Sequence, residues 1–144
     1  MKLSKLQREF VKAKFHGRCA YCGVELSQRW NADHFKPIHR VSEFVTTKTD
    51  SGYSGKWLAT GEMQFPENDT IDNLFPSCLS CNNLKGNSTV EDFRKSIANK
   101  LQQLQRDSTA YRHALRFGLI TENPTEVEFY FEKSHGEFIS NESK

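Results

Sequence analysis

All four cysteines of the chain fall in two C-x-x-C pairs, Cys19/Cys22 and Cys78/Cys81. Such a turn presents two thiolates on one side, and zinc takes four in a tetrahedron, so two turns complete one coordination shell. Gly23 follows the first pair directly, where a glycine lets the backbone turn tightly through a positive φ. Disulfides and a redox C-x-x-C are the other uses of such pairs. Nothing marks the chain as secreted, thiols of the cytosol stay reduced, and two unrelated redox pairs in one small chain are redundant. The cysteines therefore read as a structural Zn²⁺ site. Fifty-five residues separate Cys22 from Cys78, against roughly 15–20 in zinc ribbons. The ion would staple both ends of a long excursion and fix what lies on it.

That excursion carries Asn31-Ala32-Asp33-His34-Phe35-Lys36-Pro37. Asp33 offers hard oxygens suited to Mg²⁺ or Mn²⁺, and a histidine can take up a proton near neutrality. Adjacent residues of a strand point to opposite faces. A strand that ends and twists just before Pro37 could still bring both side chains to the rim of one site. Asn82 follows the cysteine Cys81, and its amide oxygen is a second hard donor. The zinc clamp is what would bring Asn82 up to Asp33. Singly, each residue has an ordinary explanation: a surface Asp-His pair, or a helix-capping Asn. The combination C-x-x-C, D-H-x-x-P, then N-L-x-x-x-C-x-x-C-N-x-x-K is far rarer.

This combination resembles the zinc-containing HNH endonucleases, which have the ββα-metal (His-Me finger) fold. The matching stretches are Cys19-Ala20-Tyr21-Cys22-Gly23, Asp33-His34-Phe35-Lys36-Pro37 and the run from Asn73 through Cys78, Cys81 and Asn82 to Lys85 and Gly86. They cover residues 19–86, about half the chain. The resemblance implies that Asp33 binds the catalytic divalent metal and that His34 is the general base. It implies that Asn73 braces the loop aligning that base, and that Asn82 is the second metal ligand in the place of the last histidine of the name. It also implies hydrolysis of DNA to a 5′-phosphate and a 3′-hydroxyl. Glu91-Asp92-Phe93-Arg94 and Glu128-Phe129-Tyr130-Phe131-Glu132 look like parts of small HNH proteins of phages and mobile elements. One departure is the long connection after Pro37, where many relatives have a short Gly-Gly loop.

The elements that must position these residues can be read from periodicity. Leu3, Leu6, Phe10, Val11 and Phe15 predict a helix over 5–16, with a Ser4/Gln7 capping box and Gly17 at its end. Residues 29–35 predict a short strand ended by Pro37, and 74–76 a second. Residues 79–85 predict a short helix ended by Gly86. Thr89 caps a helix expected over 90–105 with Phe93, Ile97, Leu101 and Leu104 as its stripe, and another is expected over 109–117. Val127, Phe129 and Phe131 alternate with polar neighbours, which predicts a closing strand. Residues 41–72 read as an irregular insertion and 134–144 as a loose tail. The fold expected is α+β: one domain over 1–144, with a ββα core over 17–87 stapled by the four-cysteine zinc site and a C-terminal extension over 88–133.

Charge points to a partner only through its distribution. Residues 1–40 hold nine Lys and Arg against Glu9, Glu25 and Asp33, a surplus of six, while the whole chain nets +2 and the remainder is therefore four negative. A basic first third suits a polyanion, though each cation singly is equally an ordinary solvated side chain. DNA is the partner favoured by the resemblance, RNA less so. Arg29, Lys36 and Lys85 and the first helix are candidate phosphate contacts, which would make binding fall with salt. Tyr53 and Trp57 could stack on bases or anchor the insertion to the core, and the second use is the one expected. His39 is expected to be structural. No apolar run approaches the ~20 residues of a membrane helix, and the basic N-terminus lacks the bunched apolar stretch of a signal peptide. A cytoplasmic protein without membrane contact is expected, as monomer or homodimer. The rival function is a non-catalytic, zinc-stabilised DNA-binding module.

Overall fold

The computed structural model describes residues 2–134; the tail expected over 134–144 lies outside them from residue 135 on. The first helix, α1, spans Lys5–Ala13. Its capping box forms as the sequence predicts: Gln7 N–H donates to Ser4 Oγ (3.2 Å) and Ser4 N–H donates to Gln7 Oε1 (2.9 Å). His16 and Gly17 then both take positive φ (52° and 76°) and end it. Of the apolar stripe, Val11 and Phe15 are buried, whereas Leu6 and Phe10 remain exposed.

Two antiparallel two-stranded sheets follow. Strand β1 (Asn31–His34) pairs with β4 (Leu74–Ser77), with Asp33 opposite Phe75 and His34 opposite Leu74. The chain leaves β4 directly into α2 (Leu79–Lys85), whose N-cap is Cys78 and whose C-cap is Gly86. Between β1 and β4, the segment expected to be irregular is a long ribbon. Strand β2 (His39–Thr49) pairs with β3 (Gly52–Gln64) through a two-residue turn at Asp50 and Ser51. Nearly every residue of both strands is solvent-exposed. Alternating hydrophobicity appears in a sequence only when one face is buried, and here neither is. The β-branched run Thr46, Thr47, Thr49 was the available signal. A 3₁₀ turn at Pro66–Asn68 then leads back toward β4.

The C-terminal extension differs from expectation in two places. The helix expected over 90–105 is two: α3 (Val90–Ala98) and α4 (Lys100–Asp107), broken at Asn99. Asparagine is a poor interior helix residue because its side chain competes for the backbone. The apolar stripe does not override it, since Phe93 is buried while Leu104 is exposed. Helix α5 (Thr109–Arg116) follows, capped by Ser108. The expected closing strand is instead an extended segment that turns into a four-residue helix, α6 (Tyr130–Lys133). Phe129 and Phe131 are nevertheless buried, so the alternation did mark the inward positions. Their backbone is occupied otherwise: Tyr130 N–H donates to Tyr21 O (2.9 Å), Phe131 N–H to Ala20 O (2.8 Å), and Phe129 N–H to the Glu132 carboxylate (2.7 Å).

The core forms around Tyr21. Its ring meets those of Phe93, Phe129 and Phe131 edge-on at 5.4, 5.6 and 6.2 Å, within the favourable range for aromatic pairs. Val11 and Phe15 of α1, Trp30 and Leu74 complete the same cluster. No helix among the described residues is long and apolar enough to cross a membrane.

Candidate metal centre and active site

Two cysteines come from the knuckle after α1 and two from the start of α2. Gly23 closes the knuckle at φ 75°, and a Cβ there would come within 2.9 Å of the Tyr130 ring, so both the turn and the packing require glycine. On the other side, Cys81 N–H donates to Cys78 Sγ (3.4 Å) across the first turn of α2. All four sulfurs lie within 4.8 Å of one another, and Cys22 Sγ is 3.8 Å from Cys78 Sγ. A tetrahedron of metal–sulfur bonds near 2.3 Å has edges of about 3.8 Å. The four thiols are therefore close enough to hold one metal ion. A hydrogen bond with the Cys81 thiol pulls Cys19 down to about 4, against the opposing effect of burial. Cys81 is pushed up by that same bond, and burial raises Cys22 to about 11.

Tyr21 lies between the two cysteines of the knuckle in sequence. Burial, and then the nearby Asp33 carboxylate, raise its hydroxyl far above the usual tyrosine range, so it keeps its proton. It donates that proton to Asp33 Oδ2. Lys85, at the end of α2, places its ammonium 2.9 Å from the same oxygen and donates to His34 O (2.8 Å). Asp33 and Lys85 are both buried, Lys85 with 1% of its side chain exposed. Oδ1 of Asp33 accepts no hydrogen bond from the described residues. The sequence leads one to expect Lys85 on a DNA phosphate. Its burial corrects that: the ammonium positions Asp33 and the end of β1.

A cavity of about 190 Å³ is lined by Asp33, His34, Pro37, Ile38, Arg40, Asn82, Gly86 and Asn87. The structure therefore brings Asp33, His34 and Asn82 to one place, since β1 ends at His34 and lets both of its last side chains reach the same rim. His34 Nε2 lies 2.9 Å from Asp69 Oδ1. A carboxylate only accepts, so Nε2 carries the hydrogen and, in the neutral ring, Nδ1 keeps the lone pair. Asp69 has no motif to reveal it in the sequence; it lies 35 residues from its partner, among other Asp and Asn residues.

Asn73 does brace a loop. Its Nδ2 donates to Lys36 O and to Asn68 O (both 2.8 Å), and its Oδ1 accepts from Lys36 N–H (2.9 Å). This clasps the exit of β1 to the return path from the ribbon. Phe35 N–H donates to Asn73 O (2.9 Å) in the same clasp. Lys14 adds a second hold: its ammonium donates to Ile71 O, Asp72 O and Leu74 O at 2.8, 3.0 and 3.1 Å.

Several cations of the basic first third are thus structural. Besides Lys14, Arg8 lies 4.3 Å from the Trp30 ring centroid and donates to Trp30 O, while Lys12 donates to Leu26 O and Arg18 to Gly23 O. Arg29 and Lys36 are exposed but do not line the cavity; Arg40, which has no signature in the sequence, does. His39 packs edge-on against Phe65 at the root of the ribbon (6.0 Å). No protein-family model matches the chain, and no curated protein or solved structure matches it.

Proposed function

We propose that the chain is an HNH-type endonuclease that cuts DNA, built on a ββα-metal core with zinc at its four cysteines and Mg²⁺ or Mn²⁺ at Asp33 and Asn82. The observation that carries this reading is the shared cavity. It gathers a carboxylate with one uncommitted oxygen, a side-chain amide, and a histidine tautomer fixed by a second carboxylate. The donor chemistry fits both ions: four thiolates at tetrahedral spacing suit zinc, and one carboxylate with one amide oxygen suits a hard divalent cation that keeps several waters.

A divalent cation there would act as a Lewis acid, offsetting the charge that develops on the phosphate in the transition state. Nδ1 of His34 takes a proton from the attacking water as its oxygen bonds to phosphorus. The bond from phosphorus to the 3′ oxygen breaks, and that oxygen leaves with a proton from solvent. Asp69 holds the imidazole in the tautomer that can accept, and balances the charge the ring gains. Tyr21 and Lys85 hold Asp33 Oδ2, so Oδ1 is the oxygen that would hold a cation. Arg40 offers the phosphate a guanidinium at the cavity wall.

The buried Asp33–Lys85 pair favours a second reading, in which Asp33 is structural and the chain is a zinc-stabilised DNA-binding module. Plasmid DNA with Mg²⁺, Mn²⁺ or chelator separates the two. Nicking or cutting that needs the added cation is expected. His34→Ala should lower the rate ~10²-fold or more with binding retained, and Asp69→Ala about tenfold. Binding without cleavage by the wild type, or full cleavage by His34→Ala, would overturn the nuclease assignment or its base.

A further inference from the structure

The ribbon formed by β2 and β3 has two faces of different character. Cross-strand register puts Ser42, Phe44, Thr46 and Lys48 on one face, opposite Ala59, Trp57, Gly55 and Tyr53. Side chains alternate along each strand, so Glu43, Val45, Lys56 and Leu58 fall on the other. The first face holds three large aromatic side chains, exposed to 54% (Phe44), 70% (Trp57) and 78% (Tyr53). None of the three belongs to the core cluster, contrary to the anchoring expected of Tyr53 and Trp57. Phe44 and Trp57 pair at 5.3 Å between ring centroids, and the Phe44 ring lies over Gly55, where a Cβ would collide with it. Glycine at 55 is what lets that ring lie flat on the ribbon.

Charge says what this face meets. Over the regular pairing from Ser42 to Lys48, the aromatic face carries Lys48 and no carboxylate; Glu43 is on the opposite side. Aromatic rings beside a cation suit a polyanion whose units have flat faces, which is a nucleic acid strand. Position agrees. The ribbon is rooted at the candidate active site, where Arg40 of β2 lines the same cavity as Asp33 and His34. At about 3.3 Å per residue, the rest of β2 reaches up to about 30 Å beyond that root.

We infer that the Phe44–Tyr53–Trp57 face of the ribbon stacks on unpaired bases of the DNA strand whose phosphate enters the cavity. The inference rests on the proposed nuclease reading for its ligand, and names the form that ligand takes: single-stranded or opened DNA, held several nucleotides away from the scissile bond.

The test is binding of a fluorescein-labelled (dT)₂₀ by the full chain with no Mg²⁺ or Mn²⁺ added, so that cleavage does not enter. Trp57→Ala and Tyr53→Ala should each weaken binding about tenfold, in line with one lost base stack. Trp57→Tyr should recover most of the loss, and Thr47→Ala on the opposite face should bind as the wild type does. Tyr53 makes no ring contact among the described residues, so its removal leaves the ribbon's own packing intact. Wild-type emission from Trp57 should be quenched on binding, while Trp30 is buried. Unchanged affinity in both alanine variants would overturn the inference. So would a wild type that fails to bind (dT)₂₀, or one that self-associates in sedimentation through Trp57 instead. Should the aromatic variants lose binding while wild-type protein leaves plasmid DNA uncut, the ribbon assignment stands and the nuclease reading falls.

Discussion

Tyr21 lies between the two cysteines of the knuckle and reaches Asp33 with its hydroxyl, so a single side chain connects the sulfur cluster to the cavity. Lys85 completes the arrangement from the far end of α2. Burying a charge is tolerable when it is paired and costly once its partner is gone. Lys85→Met should therefore destabilise the protein by about 3 kcal/mol or more, because it leaves the Asp33 carboxylate buried beside the Tyr21 hydroxyl alone. Urea unfolding measures this, and a loss below ~1 kcal/mol would mean that Asp33 is wetter than its burial indicates. At this scale type and spacing in the sequence pointed to side chains that the structure gathers: the four cysteines in one cluster, and Asp33, His34 and Asn82 around one cavity. Tyr21 and Lys85 lay inside the same motifs, but their roles depend on which way a buried side chain turns, and no spacing encodes that. Asp69 was out of reach, since its partnership with His34 comes from a chain path that leaves along one strand of the ribbon and returns along the other.

Among the elements, the starts of α1, α2, α3 and α5 were the most legible, because a capping residue stands at each. Ser4, Thr89 and Gly86 stand at the termini their chemistry predicts. The ribbon was the least legible, for the physical reason that gives it its independence: with both faces in water, no apolar periodicity is required of it. Its residues are absent from the core cluster. Replacing residues 42–60 by a short Gly-Ser turn should consequently change the unfolding free energy by no more than about 1 kcal/mol, since shortening a surface loop changes closure entropy only slightly. Thermal melts of the shortened protein check this. A large loss would show that the ribbon braces the cavity. The period-two stretch at 127–131 carries a related lesson. It identified the buried side chains correctly, while the backbone conformation was decided by the carbonyls of Ala20 and Tyr21 and by the Glu132 carboxylate.

For the molecule as a whole, the basic first third proved to be partly internal scaffolding, with Arg8, Lys12, Lys14 and Arg18 each donating to backbone carbonyls. The core is small and mainly aromatic, and a chain of this size with such a core gains from a metal cross-link. One zinc per chain is expected by elemental analysis of the purified protein. Cys22→Ser, or prolonged treatment with a strong zinc chelator, should abolish the cooperative unfolding transition, and in the chelated wild type zinc alone should restore it. A wild type that holds no metal and melts cooperatively in chelator would rule out the staple.

The order in which the sulfurs occur along the chain has a consequence for synthesis. Cys19, Cys22, Asp33 and His34 leave the ribosome first, whereas Cys78, Cys81 and Asn82 follow only after the entire ribbon has been made. A nascent or truncated chain ending before residue 78 has half of its thiol set, a carboxylate without its lysine, and no second oxygen donor from α2. The four-sulfur cluster and the Asp33–Lys85 pair can form only once translation has run past Lys85, so on the proposed reading a chain that ends earlier would have no activity.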